Sequence, residues 1–200
     1  MAAQVDVYNH ALLLLGANRV ESVDDTTDTN VIRLNTLWET VRDRLVSAYN
    51  WSWAVSQATL VKSATTVLFG YDYAYALPSG FLRAVKLSSK ADGFKWEIKG
   101  GLLQIDLNSD DGDDYAVELE YVGQVTDVTL FPASFCSALS YALASELSII
   151  QKGAAGFSAA KFLLDRSTLY LQEAMKEDMQ NQRVDDEMDS DGYSFVSARA

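Results

Sequence analysis

The chain has 200 residues, 48% hydrophobic and 11% aromatic, which is enough to bury roughly 70% of the unfolded surface in a packed core. One histidine, His10, and one cysteine, Cys136, exclude an internal disulfide and leave few ways to build an active site. The formal charge of −12 is concentrated in two patches, 106–120 and 173–191, and no Lys/Arg cluster of the kind that grips a phosphate backbone is present.

Met1-Ala2-Ala3-Gln4-Val5-Asp6 lacks a basic segment, so no secretory signal is expected, and no apolar run is expected to approach the ~20 residues that span a bilayer. A first helix is predicted over 4–15, with Val5, Tyr8, Leu12 and Leu15 on one face and Gly16 as a left-handed cap. The stretch Asp24–Asn30 is rich in capping residues and opens a second helix, 27–49. Leu34, Leu37, Val41, Leu45 and Tyr49 mark its buried face, and Glu39 and Arg42 are expected to pair on its wet side.

From Trp51 the period changes. Strands are expected near 57–62, 66–69, 73–77, 81–88, 94–99, 101–107 and 115–123, with Lys99-Gly100-Gly101-Leu102 as a tight hairpin. In the last strand Val117, Leu119 and Tyr121 alternate with Glu118 and Glu120, giving one buried and one wet face. Trp51 and Trp53 read as anchors of the helix-to-sheet junction, since no basic residue lies between Tyr49 and Val61 to support nucleotide stacking.

Pro132 suits a first helical turn, and a third helix is predicted over 132–151 with Phe135, Leu139, Leu143 and Leu147 inward and small residues that permit close contact. Lys152–Gly156 makes a turn. A fourth helix, 157–182, presents Phe162, Leu164, Leu169, Leu171, Ala174 and Met175. The predicted fold class is α+β: a four-helix body (1–53 and 132–182) carrying an inserted antiparallel β-rich region (54–123), one domain over 1–182. The tail, 183–200, is too polar to bury much surface alone, and Tyr193, Phe195 and Val196 are its candidate anchors on a partner.

The chemistry-bearing residues read weakly. His10 has no nucleophile motif such as GxSxG to serve, and Cys136, without a CxxC, reads as a small core residue. Gly153-x-x-Gly156 lacks a Walker lysine. Asp106-x-Asn108-x-Asp110-Asp111-Gly112 with Glu118 resembles a calcium loop with one residue too many, and Glu187-x-Asp189-x-Asp191-Gly192 matches only the front of one. No catalytic residue, cofactor or metal site is therefore expected; a calcium-dependent assembly or adhesion module is the alternative.

Three phrases carry a resemblance. The first ends in Arg42, Asp43 and Leu45, followed by Trp51 and Ala54. The second holds Leu77, Pro78, Gly80 and Arg83. The third leads through Phe131 and Pro132 to Phe135 and a small-residue helix. In this order, over roughly 4–180, the chain resembles the tail tubular protein A family, head-to-tail adaptors of short-tailed bacteriophages. The acidic insert at 108–114 departs from the pattern. The resemblance implies a virion structural protein made in the bacterial host cytoplasm. It would form a homo-oligomeric, dodecameric ring beneath the portal protein that continues the DNA channel without gripping DNA. The downstream tail nozzle or tube protein would dock on it, with tail fibres as a further candidate partner and no membrane involved.

Overall fold

The computed structural model describes residues 3–65, 67, 70–88, 94–106 and 116–181. Among the described residues, helices α1 (Gln4–Leu14), α2 (Thr29–Val46), α3 (Ala133–Lys152) and α4 (Phe157–Asn181) bracket seven strands. These are β1 (Val55–Thr59), β2 (Val61–Lys62), β3 (Tyr73–Ala76), β4 (Phe81–Leu87), β5 (Trp96–Lys99), β6 (Leu102–Ile105) and β7 (Glu118–Gly123). The fold is mixed helix and sheet, α+β. The expected body of four separate helices needs correction. Helical backbone runs unbroken from 133 to 181, so the described residues form three helical stretches, the last folded back on itself through the short 3₁₀ turn Gly153–Gly156. Gly153 adopts φ 55°, a conformation that favours glycine. Helix α3 is the shared core element, touching α1, α2 and α4.

The first two helices start where an aspartate side chain accepts from backbone amides. Asp6 accepts from the Ala3 amide at 2.9 Å, and Asp28 accepts from Asn30 and Val31 at 2.7 and 3.3 Å, which places the start of α2 two residues later than expected. The return from α1 is pinned by Asn9, whose side chain exchanges two hydrogen bonds with the Val20 backbone.

The strands form two antiparallel sheets, ordered β1-β7-β4 and β2-β3-β6-β5. The single strand expected at 57–62 is split at Leu60, where the chain crosses from one sheet to the other while the Leu60 amide donates to Val117 at 2.8 Å. The strand expected at 66–69 falls outside the described residues apart from Val67, which is not in a strand. The Gly100-Gly101 hairpin forms between β5 and β6, with both glycines at positive φ.

The first sheet separates two cores. Val55, Leu82, Val85 and Val122 face the helices, whereas Phe81, Ala84, Leu87 and Leu119 face Tyr75, Leu103 and Ile105 of the second sheet. Two bulges in β4 make its side chains alternate every third residue, so 81, 84 and 87 share a face. The wet face expected for Glu118 and Glu120 is only half realised: Glu118 is exposed, but Glu120 is half-buried, and Val122 on the same face is fully buried beneath the helices.

An 18-residue window within 133–181 has mean hydropathy 1.3, which corrects the expectation that no run approaches bilayer-spanning character; 67% of it is buried inside the fold, as in a core helix.

Candidate functional site

The junction between helices and sheet is the most heavily constructed part of the molecule. After α2 the chain turns inward at Trp51, which is fully buried and donates its indole N–H to the Leu45 carbonyl at 3.3 Å. Trp51 stacks on Trp53 at 5.5 Å and meets Tyr49 and Phe135 edge-on at 5.0 and 5.3 Å. Phe131 closes the group against Trp53 and Phe135 at 5.1 and 5.0 Å. Aromatic pairs in these geometries add about 0.5–1.5 kcal/mol each beyond area burial.

A polar network lines the other side. Asp43 accepts from Arg42 Nε at 2.8 Å and from Gln124 Nε2 at 2.7 Å. Arg83 reaches from β4 to the end of α2, donating to the Ser47 carbonyl at 3.0 Å and to Asn50 Oδ1 at 2.5 Å. Gly80, at φ +71°, brings its carbonyl within 2.7 Å of the Gln124 amide. Arg42 is therefore not on a wet face paired with Glu39, as the sequence suggests. It is 3% exposed, because it lies four residues after Trp38 and three before Leu45, within the buried stripe of α2. Arg42 Nη2 and Trp53 Nε1 are buried without a hydrogen-bond partner among the described residues.

His10 is half-buried, edge-on to Tyr141 at 5.7 Å, and burial lowers its pKa. Cys136 is buried at the start of α3 beside the Phe131 carbonyl, and burial pushes its thiol up. No group of three or more His, Cys, Asp or Glu is placed to hold a metal among the described residues. A cleft of about 270 Å³ on the first sheet is lined by Gln57, Thr59, Lys86, Ser88 and Glu118, with Glu120 accepting from Gln57 at 2.9 Å and lying 3.6 Å from Lys86. It offers hydrogen-bonding groups and no nucleophile–base pair.

Helix α4 supplies an exposed apolar surface. The expected packing face through Phe162, Leu164 and Leu169 is corrected: these are 62%, 48% and 54% exposed. The buried stripe keeps the expected Ala174, with Leu171 and Met175 packed partly buried beside it, and adds Ala160, Leu163, Ser167 and Asp178. Small residues let α3 and α4 approach closely, and buried serines then bridge them. Ser145 donates to the Ala160 carbonyl at 2.8 Å, Ser167 to the Ala138 carbonyl at 2.7 Å, and Ser134 to Glu177 at 2.5 Å. Phe157 and Met179 are exposed as well. The small residues at 160, 167 and 174, spaced by seven, were the signal that the larger apolar side chains masked.

The candidate anchors Tyr193, Phe195 and Val196 lie outside the described residues, as do the calcium-like stretch 187–192 and most of the loop after Asp106. Of that loop's flanks, Asp106 is described; it shares a hydrogen bond with Asp72, which raises the Asp72 carboxyl above its usual range. No protein-family model matches the chain, and a comparison with curated proteins returns no match.

Proposed function

We propose that this chain is a virion structural protein, a subunit of the head-to-tail adaptor ring that sits beneath the portal of a short-tailed phage, extends the DNA channel and docks the next tail component. One observation carries the reading: residues from the three separated phrases behind the resemblance meet at one place. Arg42, Asp43, Trp51, Ala54, Gly80, Arg83, Phe131 and Phe135 all belong to the helix–sheet junction, with Ala54 accepting from the Gly123 amide at 3.0 Å. A joint fastened by stacked rings and crossing hydrogen bonds suits a subunit that bears load, and the exposed apolar side chains of α4 suit contact with a neighbouring subunit. Tyr193, Phe195 and Val196 are the proposed anchors on the portal.

Native mass spectrometry and electron microscopy of the protein mixed with purified portal test this. A closed ring on the portal is expected; a solitary particle that never assembles would overturn it. The alternative, a calcium-dependent module, draws on the Asp72–Asp106 carboxylate pair beside the acidic loop. Calorimetry with calcium on the wild type and Asp110→Ala separates the two, because a binding heat lost in the variant would favour the alternative.

A further inference from the structure

Helix α4 carries a second seam beside its buried stripe. Positions 162, 166, 169, 173 and 176 advance by alternate steps of four and three, so Phe162, Arg166, Leu169, Glu173 and Lys176 share one flank of the helix. All five are exposed among the described residues, the two apolar ones by more than half. A hollow of about 190 Å³ on this flank is lined by Arg166, Leu169, Tyr170 and Glu173. Tyr170 is held in place, stacking on Tyr141 of α3 at 5.2 Å with the Arg166 guanidinium over its ring at 5.9 Å. Arg166 and Glu173 carry opposite charges, and neither has an ion-pair partner among the described residues. Seven residues, ~10 Å along the axis, keep them apart within one helix.

We propose that a second copy of this chain covers the flank, the two α4 helices packing antiparallel about a two-fold axis at Leu169–Tyr170. Charge complementarity selects that occupant. Turning one helix end for end about this point sets Arg166 of each copy opposite Glu173 of the other, so one symmetry operation pairs all four charges. The same operation brings Leu169 against its own symmetry mate over the hollow. It also lays the Lys176 stem and ammonium across the Phe162 ring. A parallel pairing would set Arg166 against Arg166 and Glu173 against Glu173, and like charges in register suppress that arrangement. Exposed ion pairs add little affinity, so apolar contact holds the pair together and the charges set its direction.

The contact belongs to the free protein and stands whether or not the chain joins a ring on the portal. Subunits of a cyclic ring meet head to tail, so the two-fold pair would part before this flank served one. Sedimentation velocity of the full chain without portal, across micromolar concentrations, tests it. A reversible monomer–dimer equilibrium is expected, and Phe162→Ser with Leu169→Ser should leave monomer alone. Arg166→Glu and Glu173→Arg should each weaken the dimer about tenfold, and the two combined should restore it. A wild type that stays monomeric, or a dimer indifferent to the paired serines, would overturn the proposal. Charge reversals that weaken nothing, or a double reversal that recovers nothing, would overturn it too, because that rescue requires the antiparallel register.

Discussion

Asp178, close to the end of α4, accepts hydrogen bonds from both the backbone amide and the hydroxyl of Ser52, at 3.1 and 2.5 Å, across 126 residues of sequence. Asp178 is 3% exposed, so this buried carboxylate ties the outermost helix to the point where the chain leaves the helices for the first sheet.

Replacing it removes the shared acceptor of the Ser52 amide and hydroxyl, and because Ser52 is exposed, water takes up part of the loss. Asp178→Ala is expected to destabilise the fold by about 1–2 kcal/mol, as for ordinary intramolecular hydrogen bonds. Urea denaturation should show a lower midpoint with an unchanged slope; a midpoint within error of wild type would rule out a structural role for this tie.

The α3–α4 turn depends on close backbone approach. A Cβ at Gly156 would lie 2.4 Å from the Ser148 carbonyl oxygen, whereas one at Gly16 meets nothing within 4 Å. Gly156→Ala should therefore cost about 1–3 kcal/mol through forced displacement. Gly16→Ala should cost about 1 kcal/mol through its positive φ alone. Thermal melts of the two variants side by side check the order, and equal losses would contradict the packing described.

Burial holds the His10 imidazole below its ordinary 6.5. As pH falls, the unfolded chain takes up this proton before the folded one, so the His10 contribution is complete above about pH 6.5 and declines below it. Between about pH 7 and about pH 5.5, wild type should lose more stability than His10→Gln, by a margin that solvent at the half-buried ring keeps small. Chemical denaturation at both pH values measures the difference; parallel losses in the two proteins would refute it.

On the outer face of α4, Phe162 and Leu169 are spaced by seven residues and largely exposed. Phe162→Ser with Leu169→Ser should change folding stability by less than about 0.5 kcal/mol, as for surface substitutions. If this face is the subunit contact, the same pair should abolish ring formation on the portal, as seen by electron microscopy. Intact rings would move the contact elsewhere.

Much of this was written along the chain. Helical and two-residue periods announce the order and type of the elements, paired glycines announce the β5–β6 hairpin, and Trp51 with Trp53 announces the junction, because these signals act within a few residues. Periodicity shows which side of an element is apolar but not what will oppose it. Only the tertiary structure buried Arg42 among the apolar residues of α2, split a strand at Leu60, bulged β4, and chose the small stripe of α4 over Phe162 and Leu169. Each of these choices depends on how closely a distant segment approaches: α3 comes near enough to α4 to favour alanine and serine, and that distance is set across the fold rather than along the chain.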